Sequence, residues 1–137
     1  MIFSDENDEN KLLIEKAREA REYAYVPYSG FHVGAALITD DKTIYTGCNI
    51  ENSSYGATVC AERTAVFKAV SQGKKHIKKI AVVSDSQRET PPCGICRQVM
   101  AEFMEPDSQI ILEAPEGLVV YKLSELLPNS FGAKDMN

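Results

Sequence analysis

Three cysteines and one glutamate are the residues of this chain whose types and spacing suit chemistry. Cys60 and Glu62 lie in Thr58-Val59-Cys60-Ala61-Glu62-Arg63. Cys93 and Cys96 lie in Pro92-Cys93-Gly94-Ile95-Cys96-Arg97. Each stretch reads as the start of a helix. Cys93 and Cys96 are three apart, so on a first helical turn they share a face. Cys60 would complete a three-thiolate set, and three thiolates leave one position of a tetrahedral metal open. A carboxylate two residues from the first thiolate can handle protons beside that position. Open coordination with a proton carrier points to catalytic zinc rather than a structural staple.

The charges need balancing. Three thiolates and one Zn²⁺ leave a net negative charge, which makes a bound water less acidic. Helix N-termini carry about +0.5 charge each, so two of them offset part of this. Arg63 and Arg97 are candidates for hydrogen bonds to the thiolates. The blander readings are a structural zinc site or a redox dithiol, since Cys-x-x-Cys alone is common. A structural four-cysteine site would need Cys48, which reads as a small buried thiol in a strand. His32 and His76 lack ligand spacing and read as strand-end or surface residues.

The elements that must position these groups follow from hydrophobic period. Residues 1–10 are polar and acidic and are expected to be frayed. Residues 9–24 carry Leu12, Leu13, Ala17, Ala20 and Ala24 at helical spacing. Residues 31–39 and 43–50 read as a hairpin across Asp40-Asp41-Lys42. Residues 60–72 form a helix ended by Gly73. Residues 77–84 form a buried strand, and residues 93–104 form the second metal-bearing helix. Residues 109–113 and 118–122 are two more strands, followed by a helical turn over residues 124–127. The resulting order is α-β-β-α-β-α-β-β with a short terminal helix. It predicts an α/β fold, an α-β-α sandwich with one five-stranded mixed sheet and helices on both faces. The whole chain, residues 1–137, reads as a single domain.

Composition bounds the partners. Hydrophobic residues make up 44% and charged residues 26% of the 137 residues, ordinary values for a globular protein. The net charge of -5 argues against broad capture of nucleic acid. The one basic cluster, Lys74, Lys75, Lys78 and Lys79, reads as a solvated turn. No apolar run reaches the roughly 20 residues of a membrane span, and the acidic N-terminus lacks the basic region of a signal peptide. A cytoplasmic protein with reduced cysteines is expected.

These residues resemble the cytidine deaminase family, in its small homotetrameric three-cysteine branch. The resemblance runs from about Tyr25 to Phe131. It includes Pro27-Tyr28-Ser29, Phe31-His32-Val33-Gly34-Ala35-Ala36, Gly47-Cys48-Asn49-Ile50-Glu51-Asn52, the two cysteine motifs and Glu125-Leu126-Leu127-Pro128. A non-ligand glutamate with three cysteines and Pro-Cys-x-x-Cys is the pattern of the zinc deaminases. The resemblance implies one Zn²⁺ per subunit on Cys60, Cys93 and Cys96, with Glu62 as proton shuttle. It implies that Arg63 hydrogen-bonds the thiolates and that Asn49 and Glu51 hold the ribose hydroxyls. It implies that Phe31 flanks the pyrimidine, that the Ala61 backbone contacts the base, and that Tyr55 lies on the interface side of the pocket. Phe131 resembles a tail residue reaching into a neighbouring subunit, so active sites would be shared. The implied reaction is hydrolysis of cytidine or 2′-deoxycytidine to the uridine product and ammonia, in pyrimidine salvage. A nucleoside-analogue deaminase of the blasticidin type, a polynucleotide-editing deaminase and a non-catalytic zinc-stabilised binding module are the alternatives.

Overall fold

The apolar side chains on strands and helices need two covered faces, and the observed architecture supplies them with a central sheet between helical layers. The computed structural model describes residues 5–136. Five strands, β1 (Val33–Thr39), β2 (Ile44–Cys48), β3 (Ile77–Ser84), β4 (Met104–Ala114) and β5 (Gly117–Lys122), pair in the order β2-β1-β3-β4-β5. Only β3 and β4 run parallel; the other neighbours are antiparallel. The sheet is therefore mixed, as expected.

Every residue of β1 is buried, because both faces of the strand are covered. One cover is α1 (Asp5–Arg21), whose Leu13, Ile14 and Ala17 pack on Ala36, Ile38, Ala81, Val83 and Ile111. The opposite face carries α2 (Ala61–Ser71), α3 (Gly94–Phe103) and α4 (Leu123–Leu126). There Ala65, Val66, Ala69, Cys96, Met100 and Leu123 join Leu37, Ile80, Val82 and Leu112 in the larger core. Two glycines set how closely the layers approach. A Cβ on Gly34 would stand 2.0 Å from the Ala17 carbonyl oxygen in α1, and one on Gly47 would stand 2.5 Å from the Ala65 nitrogen in α2.

Three expectations need correction. The fraying expected for residues 1–10 does not hold from Asp5 onward, since α1 begins there; Met1 to Ser4 lie outside the described residues. Asn10 is buried, and Glu9 bonds Lys78, Lys79 and Lys42 from strand β3 and the β1–β2 turn. The same contacts correct the lysine cluster. Lys79 is 2% exposed, with Nζ 2.9 Å from Glu9 Oε1 and 2.8 Å from Asn10 Oδ1. It is an internal tether between β3 and α1 rather than part of a solvated turn. Finally, β4 starts at Met104 instead of residue 109. The strand continues through Pro106 by a register shift between the Ile77 and Lys79 pairs, a place where a proline costs no ladder bond.

Candidate active site

The two cysteine motifs arrive at one place because both are helix starts on the same face of the sheet. Cys60 is the N-cap of α2 and Cys93 the N-cap of α3, each with extended backbone and no side-chain capping bond. Neither thiol is spent on capping the backbone of its own helix. Cys96 follows within the first turn of α3 and is buried.

The three sulfur atoms lie within 4.8 Å of one another. Cys60 Sγ is 3.8 Å from Cys93 Sγ, which is 3.4 Å from Cys96 Sγ. Two sulfurs bound to one tetrahedral zinc at about 2.3 Å would be about 3.8 Å apart. The donor set and its spacing therefore fit a zinc ion with three thiolate ligands. Both helix N-termini add positive potential.

The charges around the cluster are uneven. Arg63 Nη2 donates to Cys60 Sγ at 3.5 Å. Hydrogen bonds from Cys96 and Arg63 pull the Cys60 thiol well below its ordinary range, against burial. Cys96 moves the other way, through its bond to Cys60 and through burial. The pairing with Cys60 in turn raises Arg63. Burial pushes Glu62, only 4% exposed, up to about 7, with the Cys60 charge adding to the effect and Arg63 opposing it. A carboxyl group with that affinity gives and takes protons near neutral pH.

Arg97 departs from its expected place. Its Nε donates to the Pro92 carbonyl and its Nη1 to the Leu126 carbonyl, each at 2.7 Å. Its side chain spans backbone segments instead of capping a thiolate.

The remaining candidates lie on the loops beside β1 and β2. Asn49 follows β2; its Nδ2 donates to the Phe31 carbonyl at 2.8 Å and its Oδ1 accepts from the Val33 amide at 2.9 Å. Asn49 thus extends the hairpin and fixes the backbone that carries Phe31, a partly exposed ring. Glu51 accepts from the amides of Tyr28 (2.9 Å) and Ser29 (3.1 Å) and from the Ser29 hydroxyl. Those bonds, the hydroxyl foremost, lower its pKa. Glu51 lines one hollow with Tyr28, Ser29, Tyr55 and Thr58, and the Tyr55 ring meets Tyr28 edge-on at 5.8 Å. Ala61 is buried at the first position of α2. Phe131 has an exposed ring, and its carbonyl accepts from Gln98 Nε2 of α3 at 2.9 Å.

Two partners gave no signal in the spacing. Ser29 stood in the sequence only within the Pro27-Tyr28-Ser29 stretch, with no role of its own, yet it closes on Glu51. Asp85 bonds both His32 Nδ1 (2.7 Å) and the His32 amide (2.8 Å), which ties the start of β1 to the end of β3 and leaves His32 away from the sulfur cluster. Their sequence separations exceed any local pattern.

A mixed five-stranded sheet that brings three thiols and a buried carboxyl to two helix starts defines an α/β protein with a metal-binding cluster. The family model for the cytidine and deoxycytidylate deaminase zinc-binding region matches residues 7–112. The chain is 53% identical over 130 residues to a cytidine deaminase of Halalkalibacterium halodurans, covering 94% of this chain and 98% of that protein. It is 51% identical over 126 residues to one of Sporosarcina psychrophila, covering 91% and 93%. The crystal structure of cytidine deaminase from Burkholderia pseudomallei superimposes with a TM-score of 0.84 at 46% identity, over 88% of this chain and 98% of that one. The Mycobacterium tuberculosis cytidine deaminase structure gives 0.78 at 40% identity, over 89% and 96%. This chain belongs to the cytidine and deoxycytidylate deaminase zinc-binding family.

Proposed function

We propose that this protein is a zinc-dependent cytidine deaminase. It converts cytidine and 2′-deoxycytidine, with one water, to uridine and 2′-deoxyuridine plus ammonia. The observation that carries the reading is the buried Glu62 carboxyl, raised to about 7, on the same helix start as Cys60 in a cluster of three thiols.

Cys60, Cys93 and Cys96 would hold the zinc, one ion per subunit. When bound, zinc supplies Lewis-acid activation of water near neutral pH. Glu62 takes a proton from the attacking water and delivers it to N3 of the pyrimidine. It then takes the second proton, from the hydroxyl added at C4, and passes it to the amino group as the bond from C4 to that nitrogen breaks and the C4 carbonyl forms. Its burial suits both directions of transfer, because a carboxyl poised near neutrality is neither too strong an acid nor too weak a base. Arg63 steadies the thiolate charge through Cys60.

The substrate would be held by the residues around this centre. Phe31 flanks the pyrimidine and the Ala61 backbone meets the base. Asn49 and Glu51 take the ribose hydroxyls; an amide can donate and accept, and a carboxylate accepts from O–H. The bonds that already hold Asn49 and Glu51 support this role, since a preorganised polar group loses little freedom on binding. Tyr55 borders the pocket. The exposed Phe131 ring suits insertion into a second copy, and we infer a homotetramer with shared active sites. The free cysteines suit a reducing cytoplasm, and nucleoside turnover suits pyrimidine salvage. Residues 1–137 act as one domain in this reading.

The test is absorbance-monitored deamination by the zinc-loaded protein of cytidine, free cytosine and CMP in parallel. Turnover of cytidine without turnover of the base or the nucleotide is expected. A folded, zinc-bound protein inert toward cytidine would reject the reading in favour of another amino-substituted substrate or a binding module.

A further inference from the structure

Cys93 is the exposed member of the thiol cluster, and it sits at the end of a proline loop. Its side chain makes no capping bond, so the position of its sulfur depends on how its backbone is held. One residue holds that backbone on both sides. The amide of Arg97 donates to the Cys93 carbonyl at 2.9 Å, the ordinary first bond of a helix. Its Nε donates to the preceding carbonyl, that of Pro92, at 2.7 Å. Its Nη1 reaches the Leu126 carbonyl at 2.7 Å. Leu126 closes α4, and Leu123 at the start of α4 is buried in the same core cluster as Cys96.

The geometry points to Arg97 as a positioning residue for the metal: its guanidinium hangs the Pro92-Cys93 backbone from α4 and so fixes the Cys93 sulfur against Cys60 and Cys96. The planar fork of arginine donates in two fixed directions, which a lysine ammonium on a flexible stem does not reproduce. The inference rests on the reading that the three cysteines hold zinc. It assigns Arg97 an effect on metal binding through backbone carbonyls, without contact to the metal or to a thiol. The neighbouring Gln98 supplies a contrast. Its side-chain amide donates to the Phe131 carbonyl, so it tethers the tail instead of the Pro92-Cys93 loop.

The experiment measures zinc affinity of the full-length protein by competition with a chromogenic chelator, in wild type, Arg97→Gln, Arg97→Lys and Gln98→Ala. Partners that orient metal ligands typically contribute ~10–100-fold in affinity, and a loss of that size is expected for both Arg97 variants. Gln98→Ala is expected to bind zinc as wild type does. Co²⁺ serves as a second probe: its thiolate charge-transfer absorption should weaken in the Arg97 variants, whereas a general loss of stability leaves the band of the folded fraction unchanged. Should Arg97→Gln fail to fold, Arg97→Lys carries the comparison. Wild-type affinity in Arg97→Lys would overturn the two-carbonyl grip, and an equal loss in Gln98→Ala would shift the effect to the tail and overturn it too. Wild type unable to bind stoichiometric zinc would instead sink the metal reading, and this inference with it.

Discussion

Gly47 of β2 lies backbone to backbone against Ala65 of α2: a Cβ on Gly47 would be 2.5 Å from the Ala65 nitrogen and 2.6 Å from the Ala61 carbonyl oxygen. The helix that begins at the Cys60 cap and carries Glu62 is therefore seated directly on the strand. The Thr64 Cβ also stands 2.9 Å from that position, so strand and helix are in close contact, and the height of the helix above the sheet sets where Cys60 and Glu62 stand.

Gly47→Ala should push α2 away from β2. Overpacking of this kind typically costs about 1–3 kcal/mol, and the two backbone atoms among the three obstacles place this variant at the upper end. Chemical denaturation should show the loss. Zinc content should fall in parallel, and a fully stable, fully loaded variant would contradict the seating of the site by Gly47.

Glu62→Gln should retain zinc and lose turnover by about 10²–10⁴-fold, the usual contribution of a positioned proton carrier. Metal analysis beside the cytidine assay makes the distinction. Loss of zinc from this variant would make Glu62 a ligand instead.

Arg63→Gln removes the positive charge that donates to Cys60 Sγ. The cluster becomes more negative, so the proton lost before catalysis is held more tightly. The pH of half-maximal activity should rise. An unchanged pH profile of kcat would count against a thiolate-stabilising role.

Glu9→Gln should destabilise the fold by about 3 kcal/mol at neutral pH, because it leaves a buried lysine charge without its counter-charge. The pH dependence has a definite sign. Partial burial alone would raise the Glu9 pKa, but hydrogen bonds from Lys79, Lys42 and Lys78 outweigh it and bring it from 4.5 to about 2. Its stabilisation is therefore complete above about pH 4.5 and is lost as the pH falls toward 2. Denaturant midpoints across that window should fall more steeply for wild type than for Glu9→Gln, and parallel curves would exclude the tether.

The metal cluster was legible from the chain because its chemistry is written in short intervals. A three-residue spacing, a proline before it and a glutamate two residues after Cys60 are local features, and helix geometry converts them into direction. Strand and helix periods were legible for the same reason: they report which faces meet a core. The polar start of α1 misled, since a run of charges looks solvated until its partner is known. Lys79 lies 69 residues from Asn10 along the chain, and only the packing of α1 across β3 brings them together. Arg97 shows the same limit in the site itself. Its place after Cys96 suggested a thiolate partner, but a long side chain chooses among acceptors that the fold presents, and the Leu126 carbonyl is 29 residues away. Residue types and close spacings thus determined by themselves what chemistry the chain can perform. Which charged side chain meets which acceptor was decided by tertiary structure, because those energies depend on distances in space that sequence separation does not encode.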